Sequence, residues 1–242
     1  DNILSLRTIF QVSNLCNLKD LVPSGAFRLA ASTTVDPYVL GAWLRICQME
    51  TKSTFETQFD EDEVNTLIAE LKVIMTNEHC NLQTELSSVM MKHGIDFSVV
   101  HNFRGAPVHG YICQRSDNRY QMALTIRGAY ADIFWFSLFH EIKHVFQKKK
   151  TKVIINCNDD LLELDEEFEK EADDFATETL IPKDDYNSYF DDKGRYISKG
   201  DVERFAKYVG IHPGIVVGRL QHDKKIAHSS MMDMRQKYTI VI

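Results

Sequence analysis

The residues most able to do chemistry are His140-Glu141-Ile142-Lys143-His144, an H-E-x-x-H pattern. On an α-helix, positions i and i+4 lie one above the other, so His140 and His144 can offer two imidazole nitrogens to one ion. Glu141 sits ~100° further round the helix, where its carboxylate reaches a water on the metal rather than the metal itself. The seven residues before His140 (Ile133, Phe134, Trp135, Phe136, Ser137, Leu138, Phe139) are apolar or small. A helix without a polar face runs through a core, and a site on such a support is rigid.

A catalytic zinc commonly takes three protein ligands, and two histidines with a carboxylate form one standard set. The acids that could complete it lie on a helix expected from Leu164 to Leu180 and stopped by Pro182. At ~100° per residue, an apolar stripe runs through Leu164, Phe168, Ala172, Phe175, Ala176 and Thr179. With Phe168 at zero, Glu171 lies at roughly 300°, Glu169 at roughly 100° and Glu178 at roughly 280°. This phase favours Glu171, with Glu169 and Glu178 left as alternatives. Ala172 and Ala176 are small enough to let this helix approach the histidine helix closely.

These segments, together with Leu180-Ile181-Pro182, resemble the ImmA/IrrE family of zinc metallopeptidases, whose pattern is H-E-x-x-H, then E-A-x-x-F-A, then a leucine-rich turn ending in proline. The resemblance implies that Glu171, the glutamate before the alanine, is the third zinc ligand. It also implies a cytoplasmic zinc endopeptidase acting on protein regulators. The stretch Ile211 to His222 is similar to the C-terminal end of HigA-like antitoxins and related regulators, which fuse a helix-turn-helix to such a domain. Implied partners are therefore a protein substrate, or a cognate regulator or toxin, with DNA bound only through a domain absent from this chain. Lys143 stands where many relatives have glycine, outside the ligand set. In the mechanism expected, zinc on His140, His144 and Glu171 lowers the pKa of its water towards ~7. Glu141 takes the proton as general base and passes it to the leaving amine. Tyr130, Arg127, His109 and His212 are unranked candidates for stabilising the oxyanion.

These residues need elements to position them. Val64, Leu67, Ile68, Leu71, Ile74 and Met75 keep helical spacing, and a second helix is expected from about Leu82 to Met91, capped by Asn81 and stopped near Gly94. Strands are expected at Ile95 to Val100, Gly110 to Gln114 and Tyr120 to Ile126, with a short one at Val153 to Ile155. Asp36-Pro37 marks a helix start. The fold class expected is α+β: a zincin-like domain with a small, mostly antiparallel sheet of about three strands on the H-E-x-x-H helix, and a C-terminal helical segment. Residues 1–59 read as an N-terminal linker or helical segment, and 60–242 as the metallopeptidase domain with its C-terminal helix pair. The chain starts at Asp1 without methionine, which reads as a fragment.

With 28 Lys and Arg against 35 Asp and Glu, the net charge of −7 argues against a chain that chiefly grips nucleic-acid phosphates. No apolar run approaches the ~18 residues of a membrane span, and no signal peptide is visible. Five cysteines without a C-x-x-C (Cys16, Cys47, Cys80, Cys113, Cys157) indicate neither a disulfide framework nor a cysteine zinc knot, so a reducing cytoplasm is the natural setting. Lys148, Lys149, Lys150 and Lys152 read as a solvated turn that complements the negative end of the helix dipole.

Two other functions are weighed. Ala206, Gly210 and Val216 have helix-turn-helix spacing. The second helix, Pro213 to Leu220, has one charge and no Asn or Gln to read a base edge, so packing onto the domain is its expected use. The other alternative is a non- or weakly proteolytic sensor or toxin-binding module of a transcriptional regulator; the intact Glu141 favours chemistry.

Overall fold

A computed structural model describes residues 2–22, 36–50, 55–77, 81–101, 103–106, 108–115, 119–125, 130–147, 153–157, 166–191 and 196–238. Strands β1 (Ile95–Val100), β2 (Val108–Gln114), β3 (Tyr120–Thr125) and β4 (Val153–Cys157) form one sheet in the order β1-β3-β2-β4. β2 runs antiparallel to both of its neighbours, while β1 and β3 are parallel. The sheet is thus mostly antiparallel, as expected, but has four strands because β4 pairs with β2 at one edge. A bulge between Val108 and Gly110 interrupts that pairing.

Side-chain alternation gives the sheet two buried faces. Ile95, Phe97, Ile112, Met122 and Leu124 point to the larger core. That core receives α3 (Val64–Thr76) through Leu67 and Leu71, and α4 (Leu82–Lys92) through Leu86 and Met90. Asn81 caps α4 by accepting from the Thr84 amide at 3.2 Å, and Gly94 reverses the chain into β1 at φ +79°. Both helices and β1 lie where the apolar spacing puts them.

The opposite face carries Val100, Val108, Tyr111 and Ala123, which meet α2 (Pro37–Met49) through Leu40, Trp43, Leu44 and Cys47. Asp36 caps α2, accepting from the Tyr38 amide at 2.9 Å, and Pro37 opens it. Trp43 donates its indole N–H to the His101 carbonyl at 3.1 Å, and Gln121 on β3 donates to the Cys47 carbonyl. The N-terminal helix α1 (Asn2–Phe10) reaches α2 through Arg45, which donates to the Phe10 carbonyl at 2.8 Å. The core of the sheet therefore draws on residues to both sides of the boundary expected at 59/60.

The H-E-x-x-H segment lies on α5 (Ala131–Phe146), with Phe134, Trp135, Leu138, Phe139, Ile142 and Val145 buried. It packs between the sheet and α6 (Glu166–Leu180). Ala172 and Ala176 of α6 are fully buried at that contact, the small-residue approach the sequence suggests. Leu164 lies outside the described residues.

After α7 (Lys183–Phe190) come α8 (Lys199–Val209) and α9 (Pro213–His222). Ser198 and Asp201 form a capping box on α8, and Gly210 ends it in the left-handed region at φ +72°. α9 buries Ile215, Val216, Val217 and Leu220 in the main core and packs on α5, so its apolar face serves the domain. The chain then crosses the start of α5. Arg235 pairs with Asp132 at 2.6 Å, the Ala131 amide donates to the Gln236 carbonyl at 2.9 Å, and Trp135 donates to Tyr238 Oη at 2.7 Å. No described helix is long and apolar enough to cross a membrane.

If α2 belongs to the same folding unit, Trp43→Ala should destabilise the whole chain by about 3–5 kcal/mol, the usual cost of emptying a buried indole site. Urea unfolding followed by circular dichroism checks this. A wild-type midpoint in the variant would show α2 to be an appendage.

Candidate metal centre

One turn of α5 separates His140 from His144, and their Nε2 atoms face each other at 3.0 Å. A carboxylate from α6 closes the group. Glu169 places Oε2 3.3 Å from His140 Nε2 and Oε1 3.5 Å from His144 Nε2. Among the described residues, His140, His144 and Glu169 are the only His, Cys, Asp or Glu group of three or more that could hold a metal ion. Bonds of ~2.0–2.1 Å to a tetrahedral zinc set donors roughly 3.3 Å apart. The three separations bracket that value, and two imidazoles with one carboxylate suit zinc chemically, so the donor set fits the ion.

The structure thus brings Glu169, and not Glu171, to the histidines. The Glu171 side chain is 53% exposed against 27% for Glu169. Glu171 Oε2 instead accepts from Gln147 Nε2 at 3.2 Å and lies 3.9 Å from Lys143 Nζ. Glu178 caps the next helix, accepting from the Lys183 amide at 3.1 Å. The helical wheel favoured the Glu171 edge of the stripe, with Glu169 on the other edge as an alternative. α5 lies against the Glu169 edge. The signal available was a second i, i+4 pair: Glu169 and Asp173 repeat on α6 the spacing of His140 and His144 on α5, and both touch His140.

Each histidine is also held at its other nitrogen. His140 Nδ1 is 2.8 Å from Asp173 Oδ1, and His144 Nδ1 is 2.6 Å from Gln147 Oε1. Such partners orient a ligating imidazole and fix its tautomer. Asp173 and Gln147 were not singled out in the sequence, because outer partners obey no fixed spacing.

The electrostatics are those of an ion-pair cluster. Burial opposes the charged form of His140, but hydrogen bonds to Asp173 and Glu169, with the charge of Glu141, outweigh it and push its pKa up to about 10. Burial likewise opposes ionisation of Glu169, yet hydrogen bonds to His140 and His144 hold its carboxyl well below the usual carboxylate range. Glu169 is therefore an anion at neutral pH, the form a metal ligand must have.

Glu141 is 1% exposed, and its charge is felt by His140. Its carboxyl packs over Gly110 of β2, where a methyl group would overlap Oε1. Glycine here is a requirement of close approach rather than of backbone angle.

The oxyanion candidates divide. The Tyr130 ring lies under the Arg235 guanidinium, 3.9 Å from it, and the Tyr130 backbone bridges to Lys237. His212 caps α9 by accepting from the Gly214 amide at 3.0 Å. Both have structural work. His109 is half-buried at the β2 bulge, beside Gly110. Arg127, like the lysines at 148–150 and 152, lies outside the described residues.

Residues 131–221, from the start of α5 into the last turn of α9, match the peptidase family model described as the IrrE N-terminal-like domain. This match supports the ImmA/IrrE family for the segment that holds the histidines and Glu169. The four-stranded mixed sheet with its helices is consistent with a small zincin-like metallopeptidase domain. No curated protein matches the chain.

Two substitutions test the centre. Glu169→Ala should lower zinc content and weaken zinc affinity sharply, whereas Glu171→Ala should keep one zinc per chain; elemental analysis and chelator competition read both. The opposite pattern would restore Glu171 as the ligand. Gly110→Ala should destabilise by about 1–3 kcal/mol through overpacking. That loss should shrink in Gly110→Ala/Glu141→Ala, since the second change removes the overlapped carboxyl. Additive losses in thermal melts would count against the contact.

Proposed function

We propose that this chain carries a zinc-dependent endopeptidase whose ligands are His140, His144 and Glu169 and whose general base is Glu141. The observation that carries the reading is the set of three donor separations, 3.0, 3.3 and 3.5 Å, next to a buried glutamate one residue from the first ligand. A zinc ion bound there supplies Lewis acidity towards the scissile carbonyl and lowers the pKa of water. The Glu141 carboxylate accepts the proton of the attacking water and delivers it to the departing amine nitrogen. Its packing against Gly110 restricts the directions from which that proton can arrive.

The substrate class we propose is a protein regulator or toxin partner, met in a reducing cytoplasm. DNA contact would come from a helix-turn-helix domain outside this chain, the arrangement of HigA-like fusions. Apolar burial of α9 in the main core supports a structural use for the Ile211 to His222 stretch.

The test is incubation of the zinc-loaded protein with candidate repressor and toxin partners, wild type against Glu141→Gln. Wild type should cut, and Glu141→Gln should lose about 10²–10⁴-fold in rate while holding the same zinc. If neither protein cuts and a partner binds both tightly, the domain is a sensor or toxin-binding module instead.

A further inference from the structure

Gln147 follows the last turn of α5 and is 7% exposed, too buried for a surface amide without a task. Its hydrogen bonds go in three directions. Nε2 donates to the Phe168 carbonyl of α6 at 2.9 Å and to Glu171 Oε2 at 3.2 Å. Oε1 faces His144 Nδ1 at 2.6 Å. A carbonyl and a carboxylate are acceptors only, so the amide cannot turn over without setting its own oxygen against both of them. The orientation is therefore locked, and the oxygen must meet His144. An oxygen so placed requires a proton on His144 Nδ1. In the neutral ring, that leaves the lone pair on Nε2, the atom facing Glu169 and His140.

We infer that Gln147 is a positioning residue of the metal centre: its amide, locked by the Phe168 carbonyl and Glu171, holds His144 as the Nδ1–H tautomer with Nε2 open for a ligand bond. This rests on the metal-centre reading above. It also gives Glu171 a role one step further out, since the carboxylate fixes the amide that fixes the ring. Through the Phe168 carbonyl, the same amide ties the end of α5 to the turn of α6 that carries Glu169. One side chain thereby sets both the tautomer of one ligand and the placement of the element bearing another.

The experiment pairs zinc affinity with ¹⁵N spectra of the histidine rings in the metal-free protein, His144 being assigned by comparison with His144→Ala. Wild type should show His144 protonated on Nδ1 once the neutral ring is formed. Gln147→Leu, of similar volume, should move that proton towards Nε2 and weaken zinc binding about 10–100-fold. Gln147→Glu keeps an acceptor opposite Nδ1. It should retain the wild-type tautomer, with an affinity between the other two, and it reports on the proposal even if Gln147→Leu does not fold. A wild-type tautomer in Gln147→Leu, or an Nε2–H tautomer in the wild type, would overturn the inference. If the wild type shows the Nδ1–H ring yet takes up no zinc, the metal reading fails while the positioning by Gln147 stands.

Discussion

Everything chemical here depends on how closely α6 can approach α5. Donors from two helices must converge to about 3 Å, while helix axes ordinarily pack 8–10 Å apart. A glutamate can bridge the remaining distance only if nothing bulky stands between the helices. Ala172 and Ala176, both fully buried, meet that condition. Once the approach is made, like and unlike charges fall together: two imidazoles, Glu169, Asp173 and the nearby Glu141. Removing such groups from water costs free energy unless they are paired, and here each imidazole meets acceptors at both of its nitrogens.

The same closeness recurs on the other side of α5. Gly110 leaves room on β2 for the Glu141 carboxyl, so the sheet locates Glu141 as α6 locates Glu169. At the N-terminal end, the Asp132 carboxylate lies against Gly218 of α9 and pairs with Arg235. α5 is thus gripped along its length by three surfaces that come near because small residues stand at the contact points. Rigidity of the site is a property of those contacts as much as of the helix.

Much of this architecture was legible in the sequence. The helical spacing from Val64 to Met75, the Asn81 cap and Gly94 stop, the Asp36-Pro37 start and strands β1, β2 and β3 all appear in place, because each rests on local chemistry. The partnership of α2 with the far face of the sheet was not legible. Trp43 and Tyr111 are 68 positions apart in the chain, with ring centroids 6.4 Å apart, and nothing in the local pattern says that a helix before residue 59 completes the second core. The fourth strand counted only once it was paired, since a short apolar run becomes sheet through its neighbour.

By itself, then, the sequence determined the element types, the two histidines on one helical turn, Glu141 beside them and a returning acidic helix with two small residues on its buried side. Tertiary structure alone decided which acid stands beside the two histidines. Glu169 and Glu171 flank the same apolar stripe on opposite edges, and helical phase cannot say on which edge the neighbouring helix lies. That is a matter of how α6 is rolled against α5, fixed by Ala172, Ala176 and the Gln147 bond to the Phe168 carbonyl. The roll brings Glu169 and Asp173 to His140 and leaves Glu171 to hold the amide of Gln147.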